Sequence, residues 1–161
     1  MMSNTSSKSR IALFAGSFNP FTRGHQRIVE RALPLFDQIV IGVGCNMNKT
    51  HEHIDEIERR VTAIKTLFAE EKKVVVASYQ CLTADYAKQV GACYLLRGVR
   101  TMSDFDVERT IADVNRMLTG IETILLMAEP EMVHISSSVV HELQSYGKDV
   151  SALLPKMPKK P

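Results

Sequence analysis

The chain has 161 residues, a length that predicts one domain with a substantial buried core. Hydrophobic residues make up 45% and charged residues 24%, the balance of an ordinary soluble globular protein. The net charge of +2 gives no reason to expect a nucleic-acid partner, and the apolar runs are far too short to cross a bilayer.

The two ends of the chain differ in character from its middle. Residues 1–10 are polar and lack the apolar segment of a signal peptide, so we expect a disordered lead-in there. Residues 11–154 are predicted to form the domain, and 155–161 a basic tail interrupted by prolines. Three cysteines without a C-x-x-C pair suggest neither disulfides nor a zinc site, so we expect a cytoplasmic protein.

Short apolar segments alternate with helical patterns along this domain. The predicted strands are 11–15, 38–43, 73–78, 93–97 and 122–127, and the predicted helices are 24–36, 55–70, 83–90, 104–118 and 136–146. Pro34 should kink or end the last turn of the first helix. The alternation predicts an α/β fold, a single doubly wound domain around a five-stranded, mostly parallel sheet. Ligands of such sheets bind beyond the carboxyl ends of the strands.

The turn after the first strand has the composition of an anion site. Residues 15–25 read AGSFNPFTRGH and lead directly into the first helix. Backbone N–H groups at a helix start bind anions, Gly16 permits close approach, and Ser17 adds a hydroxyl donor. A protonated His25 would bring a cation to the same place.

Three more polar groups follow later strands. They are Lys49, the segment 97–100 (RGVR) with Asp104 and Glu108 beyond it, and the serines 136–138. They supply cations and hydrogen-bond donors without a nucleophile–base pair, an inventory that suits phosphoryl or nucleotidyl transfer. The Walker A and G-x-G-x-x-G patterns are both absent.

The same residues also have simpler structural roles. The serines can cap a helix, the arginines can form ion pairs at strand ends, and Asp104 is a good N-cap. The segment His51-Glu52-His53 is expected to face solvent rather than bind zinc, and we predict no metal site formed by protein ligands.

Taken together, the motifs GSFNPFTRGH at 16–25, RGVR at 97–100 and ISSS at 135–138 resemble the bacterial phosphopantetheine adenylyltransferases. These enzymes belong to the nucleotidyltransferase α/β-phosphodiesterase superfamily. Thr22, where other branches usually carry histidine, and the R-G-x-R segment followed by D-F-x-x-E favour this branch. Asn19 departs from the family's usual aspartate, and Thr83 from a larger apolar residue.

The resemblance implies transfer of AMP from ATP to 4′-phosphopantetheine, giving dephospho-coenzyme A and pyrophosphate, the penultimate step of coenzyme A synthesis. It also implies a Rossmann-like nucleotidyltransferase fold, Mg²⁺ carried by the ATP phosphates, a homohexamer, and coenzyme A as a candidate feedback ligand. Two alternatives stay open. One is another nucleotidyltransferase of the superfamily, acting on nicotinamide or nicotinate mononucleotide or on a phosphorylated alcohol; the other is a nucleotide-binding domain without catalysis.

The resemblance assigns roles to particular residues. The catalytic group it implies is His25, Lys49 and Arg97. The acceptor is expected to contact Ser17, Lys49, Leu82, Thr83, Arg97 and Asn115. ATP is expected to contact Gly16, Ser17, Phe18, His25, Gly98, Arg100, Glu108, Ile135, Ser136, Ser137 and Ser138.

Overall fold

The computed structural model describes residues 9–45 and 54–157. Its five strands form one sheet, with the strands in the order β3-β2-β1-β4-β5 and every neighbouring pair parallel. The strands are β1 (Ile11–Gly16), β2 (Gln38–Gly44), β3 (Val74–Tyr79), β4 (Tyr94–Val99) and β5 (Glu122–Met127). After β3, at one edge, the chain crosses back over β2 and β1 to form β4 on the other side of β1, so the topological switch point lies between β1 and β4. The predicted doubly wound fold is therefore confirmed.

The described helices are α1 (Arg23–Ala32), α2 (Ile54–Leu67), α3 (Thr83–Gln89), α4 (Met102–Thr119) and α5 (Ser137–Ser145), with a short 3₁₀ turn at Pro130–Met132. In the part of the chain that the structure describes, none of the helices has the length and apolar character needed to span a membrane.

The central strands are buried on both faces, as their continuous apolar sequences predict. Leu13, Ile39, Ile41 and Leu96 are completely buried. The larger core cluster joins the sheet to α1 and α2, and a smaller cluster joins the opposite face to α3. The strands are therefore held rigidly, and the turns at their carboxyl ends start from fixed positions.

Three predicted helix boundaries are wrong by two residues or more, and the others agree to within one residue. The first helix ends at Ala32 rather than 36, because Pro34 cannot continue it, and α2 ends at Leu67 rather than 70. Helix α4 begins at Met102, with Thr101 as its N-cap. Asp104 is thus not the N-cap; its own N–H donates to the Thr101 hydroxyl at 3.2 Å.

Candidate active site

A cleft of about 340 Å³ opens at the carboxyl ends of β1 and β4, where the switch point lies. It gathers residues from the turn after β1, the start of α1, the end of β4 and the start of α5. The predicted site residues that line it are Gly16, Ser17, Phe18, His25, Arg97, Gly98, Arg100, Glu108, Ile135, Ser136, Ser137 and Ser138. The structure therefore brings most of the predicted residues into one cleft.

The turn after β1 is tightly folded around the Phe18 ring. Phe18 has a φ of +46°, in the left-handed region that a side chain other than glycine rarely adopts. A Cβ on Gly16 would lie 3.0 Å from that ring, so the position needs glycine for close packing. The backbone conformation of the turn therefore depends on the packing around Phe18.

His25 and Thr22 form the start of α1. The Thr22 backbone N–H donates to His25 Nδ1 at 2.9 Å, and the Thr22 hydroxyl accepts from the His25 N–H at 3.4 Å. Because Nδ1 accepts a hydrogen bond from a backbone N–H, it carries a lone pair, and the proton of the neutral ring must sit on Nε2. The capping box therefore fixes the tautomer of His25 as well as the helix start.

The surroundings of His25 also keep its ring neutral. Phe18 stands edge-on to it with ring centroids 5.1 Å apart, and Phe21 lies at 5.3 Å. Burial, with smaller contributions from the charges of Arg100 and Arg97, lowers the pKa of His25 from 6.5 to about 4. The condition under which His25 would be a cation is therefore not met at neutral pH: the ring is a neutral donor, with Nε2–H as its hydrogen-bonding group.

Arg97 and Glu108 form a bidentate ion pair at the cleft wall. Arg97 Nε and Nη2 donate to the two oxygens of Glu108 at 2.7 and 2.6 Å. Its third nitrogen, Nη1, donates to the carbonyl of Ala15 at the end of β1. Arg97 therefore links β4 and α4 to residues 15–22, which we call the signature turn, and its planar fork is held in one orientation.

Arg100 is held in a similar way by the next helix. Its Nε donates to Asp104 Oδ2 at 3.1 Å, and Asp104 also accepts from the Arg100 backbone N–H at 3.2 Å. Nη1 reaches the carbonyl of Ile135 at 3.4 Å. The structure therefore holds both predicted cations, Arg97 and Arg100, in fixed orientations. The predicted ion pairs at the strand end are confirmed, and both arginines also line the cleft.

The serines at the start of α5 have different roles. Ser136 is the N-cap, and its Oγ accepts from the Val139 N–H at 3.2 Å. The Ser137 hydroxyl donates to the carbonyl of Pro20 at 2.8 Å, which ties α5 to the signature turn. The N-terminus of α5 therefore faces the cleft with its orphan N–H groups, the usual place for a phosphate.

A second cavity of about 710 Å³ adjoins the first and shares Ser17, Ser137 and Ser138 with it. Leu82 and Thr83 line this second cavity, and Leu82 is largely exposed. The Thr83 hydroxyl lies 2.8 Å from the hydroxyl of Tyr79, so the threonine that departs from the family pattern is bonded to the cavity wall. Leu82 and Thr83, both predicted to contact the acceptor, therefore line the second cavity, whereas the predicted ATP residues line the first. The two cavities meet at the shared serines.

Two predicted site residues remain, Lys49 and Asn115. Lys49 and the segment 51–53 lie outside the described residues. Asn115 is on α4, and neither cavity includes it among its described lining residues. Its assignment to the acceptor stays a prediction.

Two residues that the sequence reading missed contact the signature turn. Arg60 Nη1 donates to the carbonyl of Ser17 at 2.6 Å, and His141 Nε2 lies 2.7 Å from the carbonyl of Asn19. His141 follows Ser137 by four residues, so the i, i+4 spacing on α5 could have indicated that both face the turn. No comparable pattern in the sequence indicates Arg60.

Comparison with known proteins identifies the family of the chain. The model of the cytidylyltransferase-like family matches residues 13–143. A phosphopantetheine adenylyltransferase from Bacteroides fragilis is 50% identical over 91% of this chain and 97% of its own length. One from Phocaeicola vulgatus is 51% identical over 91% of this chain and 95% of its own length. The chain therefore belongs to the cytidylyltransferase-like family and, within it, to the phosphopantetheine adenylyltransferases.

Two solved structures with low sequence identity share the fold. A protein assigned as a nicotinate-nucleotide adenylyltransferase from Vibrio parahaemolyticus aligns with a TM-score of 0.67 at 17% identity, covering 92% of this chain and 88% of its own. A bifunctional NMN adenylyltransferase/ADP-ribose pyrophosphatase from Francisella tularensis aligns with a TM-score of 0.69 at 13% identity, covering 94% of this chain and 46% of its own. At this identity the likeness concerns the fold alone.

The neutral state of His25 predicts how stability depends on pH. Above pH 6.5 the ring is neutral in the folded and unfolded protein; as the pH falls from 6.5 toward 4, only the unfolded chain takes up the proton. The wild type should therefore lose up to about 3 kcal/mol relative to His25→Asn across this range. Urea unfolding of both proteins between pH 7 and pH 4 measures the difference, in which other titrating groups cancel. A difference that does not change with pH would contradict a neutral buried His25.

Proposed function

We propose that the protein transfers the adenylyl group of ATP to the phosphate of 4′-phosphopantetheine, releasing pyrophosphate and forming dephospho-coenzyme A. The observation that carries the proposal is the convergence of His25, Arg97, Arg100 and the α5 N-terminus on one cleft in a chain half identical to phosphopantetheine adenylyltransferases. An acceptor phosphate oxygen attacks the α-phosphorus, a new O–P bond forms, and the bond from the α-phosphorus to the pyrophosphate oxygen breaks.

The chemistry needs positioning more than proton transfer. The acceptor phosphate is already an anion, so no general base has to activate it. The protein has to bring two anionic groups together and offset the charge that builds on the α-phosphoryl oxygens. His25, as a neutral ring with its proton on Nε2, donates to that charge without a change in its own protonation.

Each of the two arginines is assigned to a different substrate. We assign Arg97, at the boundary of the turn, to the acceptor phosphate, and Arg100 with the α5 N-terminus to the ATP phosphates. Each arginine is paired with a carboxylate, and both arginines line the cleft. The ion pairs hold the cations in place before substrate arrives, so little side-chain entropy is lost on binding.

The second cavity suits the pantetheine arm. It adjoins the phosphate cleft at Ser17, and it offers the exposed apolar side chain of Leu82 beside the Thr83–Tyr79 hydroxyl pair. An arm with amide groups and methylene segments needs such a mixed wall. Lys49 and Asn115 belong to the same proposal through the family resemblance.

We propose that Mg²⁺ enters with ATP and is held mainly by phosphate oxygens. Asp104 and Glu108, the carboxylates that line the described cleft, are each bonded to an arginine, so they do not fit as metal ligands. When bound, the ion would neutralise phosphate charge.

We also propose a cytoplasmic location, in keeping with the unpaired state of Cys45, Cys81 and Cys93. Coenzyme A is proposed as a further ligand of the same cleft.

An acceptor panel tests the function directly. The purified protein, Mg²⁺ and ATP are incubated separately with 4′-phosphopantetheine, nicotinamide mononucleotide, nicotinate mononucleotide and a phosphorylated alcohol, and pyrophosphate release is followed. We expect release with 4′-phosphopantetheine and dephospho-coenzyme A as its product. Preference for a pyridine mononucleotide would contradict the proposal, and so would ATP binding without turnover of any acceptor.

Matched histidine variants extend this test. His25→Ala should lower kcat by roughly 100- to 1000-fold, the usual effect of removing one donor to a developing oxyanion. Its affinity for ATP should stay close to that of the wild type. His134→Ala is the control, because His134 is exposed and does not line the described cleft. Equal kcat values for the two variants would remove His25 from the mechanism.

Helix α4 supports the proposed homohexamer. This helix of 18 residues has no buried residue, although many of its side chains are apolar. Its exposed stripe consists of Val107, Ile111, Val114 and Leu118, spaced to share one face. An apolar face of this kind is normally covered by a partner. We propose that a second copy of the chain covers it.

A lysine placed in the stripe should break the assembly. Sedimentation equilibrium of the wild type should give about six times the chain mass of 18.0 kDa. Ile111→Lys should give smaller species, because the interface would have to bury an unpaired charge. Asp113→Lys adds the same side chain to α4 away from the stripe and should leave the mass unchanged. A monomeric wild type would contradict the proposal.

A further inference from the structure

The carbonyl oxygens of the signature turn are bonded by side chains from three separate elements. A carbonyl held by a cationic or hydroxyl donor fixes the peptide plane to which it belongs. The donor and acceptor pairs are Arg97 to Ala15, Arg60 to Ser17, His141 to Asn19, and Ser137 to Pro20. The turn is therefore oriented from outside, by bonds that occupy its acceptors.

Arg60 differs from the other donors in its location. It comes from α2, and it is not among the described residues lining either cavity. Its Nη1 donates to the Ser17 carbonyl at 2.6 Å, and its Nε lies 3.3 Å from the carbonyl of Glu56 on the same helix. The guanidinium thus joins α2 to the backbone of the turn.

The bond from Arg60 determines where the next amide points. In a trans peptide, the C=O and the following N–H point in opposite directions. With the Ser17 carbonyl directed at α2, the Phe18 N–H is directed to the other side of that peptide. Phe18 also has the φ of +46°, a conformation that persists only where neighbouring groups hold it.

We propose that Arg60 is a positioning residue for phosphate binding: by holding the Ser17 carbonyl, it aims the Phe18 N–H and the Ser17 side chain at the phosphates in the cleft. The inference rests on the proposed function for the identity of those phosphates. A purely structural Arg60 would tie α2 to the turn and affect stability alone. The two roles differ in whether phosphate binding and turnover change when the protein is fully folded.

Two adjacent arginines on α2 give a matched test. Arg60→Ala removes the bond to the turn, and Arg59→Ala removes a neighbouring exposed arginine from the same helix. The dissociation constant of inorganic pyrophosphate, measured by calorimetry, should rise about tenfold in Arg60→Ala, the cost of losing roughly one hydrogen bond. It should stay unchanged in Arg59→Ala. This readout does not depend on the acceptor, so it separates a failure of the inference from a failure of the proposed function.

Turnover provides the second readout. The kcat of Arg60→Ala should fall on the order of 10- to 100-fold, as expected from a displaced reacting group. Arg60→Lys should regain part of it, because the ammonium can donate to the same carbonyl. Added methylguanidinium should restore activity to Arg60→Ala and leave Arg59→Ala unaffected. Unfolding midpoints establish that each variant is folded at the assay temperature. Equal pyrophosphate affinity and kcat for the two alanine variants would overturn the proposal, as would a folded Arg60→Ala that methylguanidinium does not restore.

Discussion

The hydrogen bond from the Thr22 N–H to His25 Nδ1 is the contact on which the rest of the site depends. It closes the capping box at the start of α1, and it settles which ring nitrogen of His25 carries the proton. The aromatic rings around His25 then keep it uncharged. Thr22 is almost completely buried, and it holds the His25 ring at the wall of the cleft.

Near His25, each arginine of the cleft is paired with a carboxylate. Arg97 with Glu108 and Arg100 with Asp104 bring cations to the cleft in fixed orientations, while the same arginines bond backbone carbonyls of the turn and of Ile135. The carbonyls, which would repel phosphate, are thereby occupied. The cleft therefore presents N–H and O–H donors that are already in place before an anion binds.

Much of this arrangement follows from local sequence, and some of it does not. The strand, turn and helix at residues 11–32 could be predicted, because their signals, an apolar run and a glycine-containing turn, lie within a few residues of one another in the sequence. The sequence left the charge of the His25 ring open, because Phe18 and Phe21 come to lie beside the ring only through the fold of the turn. Arg60 contacts Ser17 across 43 positions of chain, and its direction depends on how α2 is rotated against the sheet. Asp104 was misread as a cap because α4 begins two residues earlier, at Met102, with Thr101 as its N-cap.

The state of the His25 ring tests this account most directly. In ¹⁵N NMR spectra of protein labelled at histidine, assigned with His25→Asn, the account predicts at pH 7 an unprotonated Nδ1 and a protonated Nε2. That pattern should persist until the pH approaches the pKa of about 4. A doubly protonated ring at pH 7, or a proton on Nδ1, would contradict both the Thr22 hydrogen bond and the neutral donor.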